Sequence, residues 1–152
     1  MKTPTPQTIV IIGAVAGGAS CATRLRRMNE SAEIILLERG PFASFANCGL
    51  PYHIGGVIAD EADLLVAKEP IFRDRFRIEL RTQHEAISID REAREVEVRD
   101  LATNRCYRQH YDKLVLSPGA APLRPPLPGI DLPGIFTVRN IPDVRQIKGW
   151  IA

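Results

Sequence analysis

Apolar and polar positions follow three different spacings along the chain. TIVIIG (Thr8–Gly13) is an unbroken, β-branched apolar run that closes on glycine, the pattern of a strand covered on both faces. In GGASCATRLRRMN, Ala19, Ala22, Leu25 and Met28 lie near a three- to four-residue spacing, with Arg24, Arg26 and Arg27 on the other side, which predicts a helix. EIILLER (Glu33–Arg39) repeats the buried-strand pattern. Strand, helix and strand within ~30 residues make a βαβ unit, with parallel strands and a right-handed crossover.

The middle of the chain alternates instead. RIELRTQ, EAISIDR, REVEVRD and CYRQHYD place apolar and polar residues in turn, with DREA and DLATN as turns between them. That spacing predicts an antiparallel hairpin or meander with one solvated face. YDKLVLSPGA then returns to the buried-strand pattern and rejoins the parallel sheet. From Pro118 to Pro142 the chain carries seven prolines, which cannot donate ladder hydrogen bonds and so predict an extended strap. IPDVRQIKGWIA begins an amphipathic helix. The fold class is α/β, a parallel sheet with an antiparallel β-meander excursion.

Composition narrows the function classes. At 152 residues the chain is about one domain long. A net charge of +2, with 20 basic and 18 acidic residues interspersed, argues against nucleic acid as a partner. The opening MKTPTPQ has no apolar core of a signal peptide, and the longest apolar run is too short and glycine-interrupted to span a bilayer, so no membrane is expected. Cys21, Cys48 and Cys106 have neither zinc-type nor CxxC spacing, so no metal site is expected. An odd set of scattered thiols suits a reducing cytoplasm.

GAVAGG sets Gly13, Gly17 and Gly18 between a strand and a helix. In a dinucleotide-binding turn the first glycine makes the bend, the last allows close helix–strand packing, and a pyrophosphate sits on the helix N-terminus. Val15 stands where the middle glycine is usual. The strand–turn–helix context and Glu38, 20 residues past Gly18 at the end of the second strand, restore the pattern, because an acid there bonds ribose hydroxyls. It also disfavours a 2′-phosphate, so FAD or NAD is expected over NADP. The alternative is a plain glycine-rich turn beside a surface glutamate.

SFANCGLPY places Cys48 among small and polar neighbours, Ser44, Asn47 and Gly49. Most free cysteines are small buried hydrophobes, but these neighbours leave room and hydrogen-bonding capacity for a bound group. A helix starting near Cys48 would favour the thiolate, the nucleophilic form. With no second cysteine nearby, the thiol would cycle against a small partner as a mixed disulfide, persulfide or sulfenic acid. Cys21 and Cys106 are expected to pack. His53 reads as surface or packing, and His84 and His110 have no catalytic partner in the sequence.

The stretch from VIIGAVAGG to NCGLPYHIGG resembles the N-terminus of the coenzyme A-disulfide reductases, single-cysteine members of the FAD-dependent pyridine nucleotide-disulfide oxidoreductases. YDKLVLSPGAAP is similar to that group's second flavin motif, and VRNIPDVRQIKGWI to its lead-in to an NADH domain. The resemblance implies a Rossmann-like FAD-binding domain over residues 1–150. Gly13, Ala14, Val15, Ala16, Gly17 and Gly18 would hold the FAD pyrophosphate, Glu38 the ribose, and Arg39 and Ala86 the adenine side. Ser117 and Gly119 would pass the flavin, with Asn47 also beside the cofactor. Cys48 would be the nucleophile carrying a mixed disulfide with coenzyme A, and Ser20, Arg24, Arg27, Ser44 and Asn47 would contact that substrate. Arg24 and Arg27, three apart on one helix, can offer guanidinium forks to its phosphates, or form a plain solvated basic face. Phe76, flanked by Arg75 and Arg77, stands where some relatives place a lysine.

The implied reaction is NAD(P)H-driven reduction of coenzyme A disulfide through FAD and Cys48 in a cytoplasmic homodimer. The second glycine fingerprint and the dimerisation domain are not in this chain, so it alone is expected to lack NADH turnover and to hold FAD weakly or not at all. Alternatives are an NADH oxidase or peroxidase, a persulfide or polysulfide reductase with or without a fused rhodanese module, and a non-catalytic flavin- or nucleotide-binding module.

Overall fold

A computed structural model describes residues 6–151; the start of MKTPTPQ, where no signal peptide is expected, and Ala152 lie outside the described residues. The chain divides into two compact units. One comprises the residues up to Ser44 together with Ala67–Pro118, the other Phe45–Val66 together with the residues from Gly119 on.

The first unit is built on a four-stranded sheet of β1 (Thr8–Ile12), β2 (Glu33–Glu38), β3 (Glu79–Thr82) and β7 (Lys113–Leu116), in the order β3-β2-β1-β7, all parallel. The two central strands are apolar throughout because they feed two cores. Ile9, Ile11, Ile34 and Leu36 point to the side of α1 (Ala16–Met28), where Ala19, Ala22, Phe72 and Ile78 meet them. Val10, Ile35 and Leu37 point the other way, onto Val96, Val98 and Tyr111. Alternate residues therefore serve opposite faces, as strand geometry requires. Polar groups pin the start of β1: Thr8 N donates to Asp112 at 2.8 Å and Thr8 Oγ1 to Glu33 at 2.9 Å.

The second core is closed by a three-stranded antiparallel sheet of β4 (His84–Asp90), β5 (Glu95–Asp100) and β6 (Arg105–His110). Its hairpin turns follow one plan. Asp90 Oδ1 accepts Glu92 N and Ala93 N, and Asp100 Oδ1 accepts Ala102 N and Thr103 N. Each loop ends in a left-handed residue, Arg94 (φ 54°) or Asn104 (φ 57°).

RIELRTQ is not in this meander, contrary to its alternating pattern. As β3 it pairs parallel with β2, Ile35 facing Glu79 and Glu38 facing Thr82. An edge strand leaves polar residues toward solvent, so its pattern matches that of a half-solvated antiparallel strand. Arg81 on β3 donates from Nη1 to Tyr107 Oη and Gln109 Oε1, both at 2.9 Å, joining the two sheets.

The helix α1 also departs from expectation at two positions. Met28 is 70% exposed, and Arg26 is buried. Arg26 donates to four carbonyls: Nε to Phe76 (2.8 Å), Nη1 to Glu30 (2.8 Å) and Asn29 (3.2 Å), and Nη2 to Arg77 (2.8 Å). These are orphan carbonyls just past the helix end and in the lead-in to β3, and the guanidinium fork satisfies them together. Burial, then the neighbouring Arg77, lowers its pKa from the ordinary arginine value, and Glu30 opposes the shift.

The second unit holds a tight turn, Asn47–Gly49, then α2 (Leu50–Ile54), the proline-rich strap and α3 (Ile141–Ile151), which packs against α2. Phe45 and Leu65 bridge antiparallel, and Ala46 N donates to Leu64 O at 2.8 Å. Leu50, Leu64, Ile141 and Val144 are fully buried. Among the described residues no helix is long and apolar enough to cross a membrane.

Two substitutions test this account by chemical denaturation. Arg26→Met strands several buried carbonyls and is expected to cost about 2–4 kcal/mol, whereas exposed Arg24→Met stays within about 0.5 kcal/mol. In Gly18→Ala the new Cβ meets the carbonyl oxygen of Gly13 and, at 3.2 Å, Ile11 Cγ2. Neither backbone can retreat, so a loss of at least about 1–3 kcal/mol is expected.

Candidate functional site

The first unit builds a cradle at the carboxyl ends of its parallel strands. From β1 the chain continues to β2 and β3 on one side, while β7 lies on the other. The strand order therefore reverses between β1 and β7, where open parallel sheets bind ligands. Gly13 (φ 93°) turns the chain out of β1, and a Cβ there would run into Ser117 O, so only glycine fits. Gly18 lets α1 close onto this turn. Gly17 faces Ser117, whose Oγ lies 3.2 Å from the position of a Gly17 Cβ.

The start of α1 is open to an anion. Val15, the N-cap, provides no side-chain cap, the first turn has no acidic residue, and Ala16 and Gly17 are exposed. The first N–H groups of a 13-residue helix are thus available, with the positive end of its dipole behind them. Glu38, at the end of β2, accepts Ala14 N through Oε2 (2.8 Å) and Gly40 N through Oε1 (2.7 Å). An ionised carboxylate has about four acceptor positions, so capacity remains for two ribose hydroxyls. These residues fit a dinucleotide: donors for a pyrophosphate and a carboxylate for a ribose.

The other positions expected in this unit lie along α1, after β2 and on β4. Arg39 Nη1 is 3.8 Å from Glu85 Oε1, beside half-buried Ala86, where β4 carries a bulge before Ser88. Ser44 adopts φ 48°, and its N–H donates to Ala14 O at 2.8 Å. Ser20, Arg24 and Arg27 are all exposed and, at i, i+4 and i+7, share one stripe of α1. Phe76 packs against the α1-side core, with the Arg75 guanidinium 5.5 Å from its ring centroid.

The second unit carries Cys48, exposed in the Asn47–Gly49 turn. Gly49 is buried, and a Cβ on it would meet Leu64 Cδ2 at 2.9 Å and Ile58 Cδ1 at 3.3 Å. The following helix starts only at Leu50 and has five residues, so little dipole acts on the thiol. Asn47 Nδ2 donates to Arg139 O at 3.4 Å, and a Cβ on Gly119 would meet Arg139 Nη2 at 2.6 Å. Cys21 packs at the edge of the α1-side core. Cys106, expected to pack, is exposed on β6, so exposure alone does not single out Cys48.

Sequence reasoning did not find Arg139 or Lys148. The signal for Arg139 was the spacing of Asn140 and Asp143: Asp143 N donates to Asn140 Oδ1, while Arg139 N and Asn140 N donate to Asp143 Oδ2, a reciprocal cap at the start of α3. Lys148 Nζ lies 3.3 Å from Nε2 of His53, which is 4% exposed. Glu61 takes a two-pronged contact from Arg145, at 2.7 and 2.9 Å. That contact, against some desolvation, holds the Glu61 carboxyl below the usual carboxylate range. His84 Nδ1 contacts Thr82 O, and His110 is exposed. Among the described residues no cluster of His, Cys, Asp and Glu could hold a metal ion.

Comparison with known proteins gives a consistent picture. Residues 7–149 match the family described as pyridine nucleotide-disulphide oxidoreductase. The coenzyme A disulfide reductase of Staphylococcus haemolyticus is 41% identical over 143 residues, 94% of this chain and 32% of that protein. That of Staphylococcus epidermidis is 43% identical over the same shares. The chain thus spans about a third of the length of these relatives. Among solved structures, reduced Bacillus anthracis CoADR-RHD superposes with a TM-score of 0.93 at 47% identity, covering 96% of this chain and 26% of that one. An NAD-dependent persulfide reductase from A. fulgidus superposes with a TM-score of 0.89 at 31% identity, covering 95% and 27%. A family match that runs over nearly the whole chain, on a fold with the glycine turn and strand-end acid described above, shows that the chain belongs to the pyridine nucleotide-disulphide oxidoreductase family.

Proposed function

We propose that this chain provides the FAD-binding and cysteine-bearing part of an NAD(P)H-driven reductase of coenzyme A disulfide, acting as a homodimer. The observation that carries the reading is the cradle at the β1/β7 reversal, with Glu38 at its rim, in a chain that also presents Cys48 on a surface turn. The relatives named coenzyme A disulfide reductase, at 41% and 43% identity, support the substrate class.

Bound FAD would supply the two-electron relay from NAD(P)H. The chain's own residues do the rest. The first N–H groups of α1 hold the pyrophosphate, and Glu38 orients a ribose while bracing Ala14 N. The Cys48 thiolate attacks one sulfur of the disulfide, forming a mixed disulfide and releasing one coenzyme A thiolate. Two electrons then cleave the mixed disulfide and restore the Cys48 thiolate, and the second coenzyme A thiol leaves. Ser20, Arg24 and Arg27 offer a hydroxyl and two guanidinium forks on one stripe for the substrate's phosphates.

Reduction of a persulfide is the second reading, favoured by the likeness to the A. fulgidus persulfide reductase at 31% identity. It would use the same thiol, with sulfane sulfur in place of the second coenzyme A.

Intact-mass analysis after incubation with coenzyme A disulfide is expected to show one dithiothreitol-reversible increment of coenzyme A. The increment should vanish in Cys48→Ser and persist in Cys106→Ser; an adduct confined to Cys106, or none, overturns the reading. Glu38→Ala is expected to weaken ADP binding by about tenfold, the loss of one or two hydrogen bonds to a charged group. Glu38→Gln, which keeps one acceptor, should weaken it less, and calorimetric titration distinguishes the two.

A further inference from the structure

His53 lies five residues past Cys48, almost fully buried, and both ring nitrogens are engaged. Nδ1 is 2.7 Å from Ile58 O and Nε2 is 3.3 Å from Lys148 Nζ. A carbonyl oxygen only accepts, so Nδ1 must carry the proton. An ammonium only donates, so Nε2 must present its lone pair. Only the neutral Nδ1–H tautomer satisfies both contacts, since an imidazolium would turn a second donor onto the Lys148 ammonium.

Ile58 connects this ring to the cysteine. Its Cδ1 lies beneath Gly49, the residue after Cys48, where a Cβ would come within 3.3 Å, and its carbonyl is the one His53 holds. Its N–H donates to Tyr52 O at 3.2 Å. Lys148 belongs to α3, whose capped start receives Asn47, the residue before Cys48, on Arg139 O. Arg145 of the same helix grips Glu61. The turn is therefore braced on both flanks by one helix: through Asn47 at its start and through His53 and Ile58 at its end.

We propose that His53 is a positioning residue for Cys48, a neutral Nδ1–H imidazole that ties the Ile58 carbonyl to the Lys148 ammonium and so fixes the turn that carries the thiol. This rests on Cys48 being the working thiol. Both disulfide exchange and alkylation by iodoacetamide are in-line displacements by the thiolate, but 5,5′-dithiobis(2-nitrobenzoate) is much the bulkier electrophile and needs the sulfur held clear of its turn, whereas small iodoacetamide does not. A brace on the turn should therefore act on the first reaction far more than on the second.

The test uses the full chain, with each cysteine followed by peptide mass. Nitrogen-15 shifts of the His53 ring at neutral pH are expected to report the Nδ1–H tautomer; an Nε2–H ring overturns the proposal. Lys148→Met is expected to slow exchange of Cys48 with 5,5′-dithiobis(2-nitrobenzoate) by about threefold to tenfold, the effect of one lost hydrogen bond. Iodoacetamide alkylation of Cys48, and both reactions of Cys106, should stay unchanged. His53→Gln, whose side-chain carbonyl still accepts from Lys148, should recover part of the rate that His53→Phe loses. Equal exchange rates in Lys148→Met and the unsubstituted chain overturn the proposal even if the His53 variants fail to fold. Failure of the unsubstituted chain to form a coenzyme A adduct would reject the substrate reading alone, because the nitrobenzoate comparison still judges His53.

Discussion

Backbone pressed against backbone at the end of β1 is the constraint on which the first unit depends. Gly13 lies against the carbonyl of Ser117, and Gly18 against the carbonyl of Gly13, so β7, the turn and α1 converge where no side chain fits. The convergence leaves the first N–H groups of α1 uncapped and exposed. What binds there is then a matter of charge, and the uncapped N–H groups and the Glu38 carboxylate suit the two ends of a nucleotide diphosphate.

The second unit uses other means. Its cysteine turn has almost no regular structure of its own, being one tight turn ahead of a five-residue helix. Order comes from a helix almost a hundred residues downstream in the sequence, through buried apolar residues, an ion pair and a buried imidazole. Such bracing lets the turn itself stay exposed while its flanks are held.

Much of this was legible in the sequence, and the gaps have physical causes. The βαβ unit, β7, the strap and α3 follow from runs and spacings that only one element type satisfies. The close packing at Gly13 and Gly18 and the place of Glu38 at the strand end are recognisable because they follow from distance along a strand–turn–helix. RIELRTQ was misplaced because an edge strand and a half-solvated antiparallel strand share one pattern. Arg26 was misplaced because a helical period sorts residues by polarity and cannot foresee four carbonyls waiting to be satisfied. Cys106 was expected to pack, yet its strand turns it to solvent. The contacts of His53 were invisible because Ile58 and Lys148 come together only through tertiary structure.

The twofold coverage of β1 and β2 has a consequence for how the sheet aligns. Where both faces of a strand are greasy, sliding by one residue merely swaps one set of aliphatic side chains for another, so hydrophobicity is nearly blind to the error. Polar fasteners at the two ends must supply the discrimination: Thr8 with Glu33 and Asp112 at one, Ala14 with Glu38 at the other. The acid suited to recognising a sugar thus doubles as a vernier mark for the neighbouring strands, and selection on either duty constrains the other.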